Sequence, residues 1–185
     1  MASDVRVRYT KMFIKQSLTE LLKTKPLKKI TVKEICEKAE INRATFYKHY
    51  LDVYDLLDQI ENQLIEELKQ ALKAEHNRQP KVIFNLIMSS LQKDSETYKA
   101  LFSEHGDPEF RLRILEKSWS LIDKNFIKNS IGHIPEERQE YVYRYMAHGC
   151  YGIINQWLIK GMTDPIEEIS DMAEKLITNA KSIVL

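Results

Sequence analysis

Within seven positions, Arg43 to His49, the chain sets a guanidinium, two hydroxyl groups, an ammonium and an imidazole. Such groups bond to phosphate oxygens and to the edges of bases. Phe46 and Tyr50 lie one helical turn apart in the same stretch. The spacing predicts a helix from Arg43 to Tyr50 with those two rings facing inward. Arg43, Ala44, Thr45, Tyr47, Lys48 and His49 are then left on the outer side. Arg43 is the best candidate for a guanine contact, because its fork can bond O6 and N7 together. Lys48 suits either a base or a phosphate.

A short helix carries such a face only if other elements hold it. Thr31 followed by Glu34 forms a capping box, so a preceding helix is expected to start at Val32, with Ile35 and Ala39 as its apolar side. Glu40 and Ile41 turn the chain, and Asn42 caps the second helix. Two short helices joined by a tight turn, the second outwardly cationic, predict a helix-turn-helix whose second helix enters the major groove of DNA. Thr31, at the start of its helix, is placed to offer its hydroxyl or amide to a phosphate.

The stretch ITVKEICEKAEINRATFYKHYLDVYDLL, Ile30 to Leu57, resembles the signature of the tetracycline-repressor (TetR) family of bacterial one-component regulators. The resemblance covers about the first quarter of the chain. It implies that Arg43, Ala44 and Thr45 face base edges and that Tyr47 and His49 bind phosphates. Two positions depart from the common pattern. Glu40 stands where many members have glycine, so a left-handed turn there would cost about 1 kcal/mol. Val53 stands where many have a lysine against a phosphate.

Composition is that of a soluble globular protein, with 43% hydrophobic and 30% charged residues. The net charge of +1 hides an asymmetry: residues 1–50 hold 12 Lys/Arg against 5 Asp/Glu, residues 51–185 hold 16 against 22. A basic head on an acidic body is expected where one end meets phosphates. No apolar run approaches the roughly 20 residues that span a bilayer, and the N-terminus lacks the apolar region of a secretory signal. Cys36 and Cys150 have no metal-ligand spacing and are expected to stay reduced in the cytoplasm.

The remaining elements read as helices throughout, about nine in all, which predicts an all-α protein. The expected division is a helix-turn-helix domain over residues 1–52 and a regulatory, ligand-binding and dimerisation domain over 53–185. Helix one should run from about Asp4 to Lys23, with Tyr9, Phe13, Ser17, Leu18, Leu21 and Leu22 as its core stripe. Pro26 breaks the chain before the Lys28–Lys29 loop. After Asp52 a long helix carries Leu56, Leu57, Ile60, Leu64, Leu68 and Leu72 for some ~30 Å. Later helices start at Pro80, Ser95, Pro108, the proline start Ile134-Pro135-Glu136, and Pro165, with ends expected near Lys93, Glu104, Asn129, Lys160 (followed by Gly161) and Ile183.

Catalytic signatures are absent: no phosphate loop, Gly-x-Ser-x-Gly, HExxH or paired-cysteine site occurs. No enzyme activity, cofactor or metal is expected. Tyr98, Phe102, Trp119, Tyr145 and His148 are candidates for a pocket that would hold a small, mostly apolar effector. The last two helices carry unusual apolar surface, and Gly149 and Gly152 sit mid-helix. Gly149, Gly152, Ile153, Trp157, Met172 and Leu176 are therefore candidates for a homodimer interface, as a palindromic operator requires. The family resemblance implies the same arrangement. The expected function is a regulator of transcription, a repressor released from double-stranded operator DNA by a small molecule. The alternative is a co-regulator of the same fold that binds a partner protein instead of DNA.

Overall fold

The computed structural model describes residues 2–75, 79–121 and 134–179, with the side chains of residues 2–4, Leu115 and Trp119 outside the description. Among the described residues there are nine α-helices, one 3-10 turn and no strand. In chain order the helices are α1 (Ala2–Leu22), α2 (Val32–Lys38), α3 (Arg43–Tyr47), α4 (Val53–Ala74), α5 (Pro80–Gln92), α6 (Ser95–Phe102), α7 (Pro108–Ser120), α8 (Glu136–Ile159) and α9 (Ile166–Asn179). The chain packs as two compact units, residues 1–63 with 96–111, and residues 64–95 with 112–185.

In the first unit the core stripe of α1 runs through Ile14, Ser17, Leu18 and Leu22. Tyr9 and Phe13, expected inside, are 49% and 47% exposed. Val5, Val7, Tyr9, Met12, Phe13 and Ile14 surround the first half of the helix with apolar groups, so periodicity left two faces open there. Packing selected the face through Ile14. α1 packs against α2, where Ile35 and Cys36 are buried, and Phe46, Tyr50, and Leu56, Leu57 and Ile60 of α4 are buried as well. Cys36 thus replaces Ala39 as the second buried residue of α2. Burying one such side chain contributes about 1.5–3 kcal/mol.

Residues 96–111 join this unit through specific bonds. Thr19 and Thr97 hydroxyls meet at 3.1 Å in the interior. The Leu27 amide donates to the His105 carbonyl at 2.8 Å, and the His105 ring Nδ1 lies 2.9 Å from the Leu22 carbonyl. Phe102 meets Phe110 edge-on with ring centres 5.8 Å apart. At Gly106 a Cβ would come within 1.9 Å of the Leu101 carbonyl oxygen, so glycine alone fits this turn.

In the second unit α5 lies along α9. Met88, Ser170 and Ala173 are buried. At the edge, the Lys81 ammonium sits 2.7 Å from Asp171 and 2.5 Å from Glu167, and these carboxylates raise its pKa. α8 ends as the position of Gly161 suggests. Gly161 (φ +79) and Met162 (φ +61) turn left-handed. The Met162 amide closes on the Trp157 carbonyl at 2.9 Å and the Gly161 amide on Leu158 at 2.9 Å, a Schellman stop. The expected ends of α7 near Asn129 and of α9 near Ile183 fall outside the described residues, as do Ile122, Phe126, His76 and His133.

Candidate nucleic-acid interface

The helix-turn-helix forms through local chemistry. The Thr31 hydroxyl accepts from the Glu34 amide at 3.3 Å, and Glu34 accepts from the Thr31 amide at 3.0 Å, completing the capping box. Lys25 also pairs with Glu34. With the Thr31 bonds as the second cause, that ammonium holds the Glu34 carboxyl down at about 2. Glu40 occupies the left-handed region at φ +53. There the Ile41 amide bonds the Cys36 carbonyl at 3.0 Å and the Glu40 amide bonds Glu37 at 3.4 Å, a Schellman turn made without glycine.

Asn42 then caps α3, its side chain accepting from the Thr45 amide at 2.8 Å. α3 ends at Tyr47, three residues earlier than Tyr50, the expected end. The backbone tightens there, with the His49 amide on the Phe46 carbonyl at 2.9 Å. Tyr50 still turns inward, because its own amide bonds Phe46 at 3.0 Å and its ring sits 5.5 Å from the Phe46 ring.

With Phe46 and Tyr50 buried, Arg43, Ala44, Tyr47 and Lys48 are exposed, and Thr45 and His49 are half-buried. Thr31 is exposed at the head of α2. The Thr45 hydroxyl donates to Asn42 at 3.0 Å, leaving its methyl and oxygen lone pairs for an outside partner. The His49 pKa is lowered, first by burial and then by Lys11 and Lys48. Lys11, on α1, lies outside the set of residues singled out from the sequence. Its ammonium stands 5.8 Å from the centre of the Tyr50 ring, a proximity visible only after folding.

Val53 is buried, and α4 opens with acid instead of a cation. Asp52 accepts from the Tyr54 and Asp55 amides at 2.8 Å each, and Asp55 accepts from the Leu51 amide at 2.8 Å.

Of the candidate pocket residues, Tyr98 and Phe102 are buried in the first unit, and Lys15 lies 5.9 Å from the Tyr98 ring centre. Tyr145 and His148 are exposed on α8 in the second unit, and the Trp119 side chain lies outside the described residues. Among the candidate interface residues, Gly149 and Gly152 are exposed, and among the described residues no neighbouring element lies within 4 Å of where a Cβ would stand. Ile153 is half-buried, and Met172 and Leu176 are exposed. Trp157 is instead interior, 1% exposed, with its indole N–H donating to the Asp164 carbonyl at 2.9 Å. Among the described residues no His, Cys, Asp and Glu group could hold a metal, and no helix is long and apolar enough to cross a membrane.

An all-helical chain with a capped helix-turn-helix at one end has the build of a one-component transcriptional regulator. Residues 78–179 match TetR_C_8, the C-terminal region of transcriptional regulators. A 59-residue stretch is 36% identical to the HTH-type transcriptional regulator YxbF of Bacillus subtilis (strain 168), covering 32% of this chain and 14% of that relative. A TetR transcriptional regulator from Streptococcus agalactiae 2603V has the same fold, with TM-score 0.71, 19% identity, and 96% of this chain and 98% of that one covered. So does the dihydroxyacetone kinase operon activator DhaS, with TM-score 0.64, 20% identity, and 95% and 97% covered. The chain belongs to the TetR family of transcriptional regulators.

Proposed function

We propose that the protein binds double-stranded operator DNA as a homodimer, with α3 in the major groove, and represses transcription until a small, mostly apolar effector releases it. The observation that carries this reading is the polarity of α3. Phe46 and Tyr50 anchor it inward while Arg43, Ala44, Tyr47 and Lys48 stand exposed. Arg43 and Lys48 make no ion pair among the described residues, so both are available to an external anion or base. In this reading Arg43, Ala44 and Thr45 read bases, and Thr31, Tyr47, Lys48 and His49 hold phosphates. DNA in the cytoplasm is the implied setting.

A palindromic operator calls for a two-fold protein. Exposed Tyr141, Tyr145 and Ile159 on α8, and Met172 and Leu176 on α9, support a four-helix interface between two copies. The rival reading, a co-regulator that binds only a protein partner, leaves the cations of α3 without a role.

Arg43→Ala tests the assignment by gel shift on the DNA flanking the gene. It should lose about 1–3 kcal/mol on the specific site and little on random duplex. Equal losses on both would move Arg43 to the backbone. A wild-type protein that shifts neither would favour the co-regulator. Because a relative of the same fold is named an activator, a reporter fusion with and without the protein decides the sign of regulation.

A further inference from the structure

The cations of the first unit fall into two sets. Lys23 is held by Glu20 and Glu96, Lys25 by Glu34, and Lys33 by Glu37. Lys11, Arg43 and Lys48, like Lys28, Lys29 and Lys38, have no carboxylate within ion-pair distance among the described residues; of these, Lys11 and Lys48 act on His49. Lys11 is not part of the helix-turn-helix, yet the fold carries it to the end of α3. Its ammonium is 5.8 Å from the centre of the Tyr50 ring, and the His49 ring is 6.3 Å from that same ring. Tyr50 is buried, so the ring that Lys11 overlies cannot swing away, and a cation over such a ring is held in place.

Burial first, and then Lys11 and Lys48, act against protonation of His49, while the Asp55 carboxylate acts on Tyr50. The nearby acids are engaged elsewhere. Asp52 accepts from the Tyr54 and Asp55 amides of α4, and Asp55 accepts from the Leu51 amide just before it. The Asp52 bonds occupy two N–H groups of the first turn, so the helix start offers a phosphate little. Cations that no carboxylate of the chain pairs with are open to an external anion.

We propose that Lys11, together with Lys48 and His49, forms a phosphate-binding site through which α1 takes hold of the DNA backbone. This extends the operator-binding reading and rests on it. Lys11 contributes affinity and register, and it reads no base.

Because phosphate binding is independent of sequence, the probe is a 30-base-pair duplex of arbitrary sequence, titrated from 50 to 200 mM salt. A homodimer loses one contact per protomer, so the slope of log K against log salt falls by about 1.8, which is roughly 60-fold in affinity at 0.1 M salt. Lys11→Gln should show both changes, equally on two unrelated duplexes. Lys11→Arg should keep the wild-type slope, and Lys69→Gln, in the other unit, should change neither quantity. Lys11 is exposed, so all variants should melt with the wild type. A Lys11→Gln slope equal to wild type overturns the proposal and leaves operator binding standing. A Lys11→Arg slope as low as that of Lys11→Gln also overturns it, since charge would then not be what matters. Wild-type protein with no salt-dependent duplex binding would remove the operator reading and this site with it.

Discussion

At Glu40 the backbone takes φ +53, a conformation that costs an L side chain about 1 kcal/mol and glycine almost nothing. The turn is made anyway, because two amide bonds and the burial of Ile35 and Phe46 on either side hold it. Glu40→Gly should therefore raise the urea midpoint, by up to about 1 kcal/mol in stability, reduced by the flexibility glycine adds to the unfolded chain. A lower midpoint would mean that the Glu40 side chain contributes something its exposed position does not show. The strain was expected from the family resemblance, where many members have glycine at this position of the turn. The placement of Lys11 was not, since Lys11 and Tyr50 are far apart in sequence and meet only in the folded chain.

Among the elements, α2 depends most visibly on a titratable group. Glu34 accepts from the Thr31 amide and pairs with Lys25, and its pKa falls from 4.5 to about 2. A lowered carboxylate pKa means that the folded state prefers the ionised form. This contribution to stability is complete above pH 4.5 and is lost as pH falls from there toward 2. Glu34→Gln should flatten the loss of stability in that window, as read by thermal melts at pH 2.5, 3.5 and 5. An unchanged acid profile would show that the capping box is not titrating with the fold. Caps of this kind are local, so Thr31, Asn42, Asp52 and Gly161 marked the helix ends from sequence. α3 was read too long because its end is set by a tightened turn, which residue types do not signal. The face of α1 was misread because apolar groups surround its first half.

For the whole molecule, the apolar residues of α8 divide between two fates. Met146, Ala147, Trp157 and Leu158 are interior, while Tyr141 and Tyr145 are 78% and 73% exposed. A second copy covering the outer set would explain why these large rings are retained on a surface. Leu176→Glu would then bury an unpaired carboxylate, weakening the dimer by about 3 kcal/mol, or roughly 100-fold. Sedimentation at micromolar concentration should show a monomer that keeps its helical signal and loses operator binding. A variant that remains dimeric would place the interface elsewhere.

Helical periodicity, caps and the cationic face of one short helix depend on residues within a few positions of each other. The chain alone therefore determined the all-α fold, the starts of α2 to α7 and the outward placement of Arg43, Ala44, Tyr47 and Lys48. Which side of a doubly apolar helix faces in, where Trp157 rests, and that residues 96–111 pack with the head depend on contacts between segments distant in sequence. Those contacts are settled by competition for buried surface, and only the folded chain decides that competition.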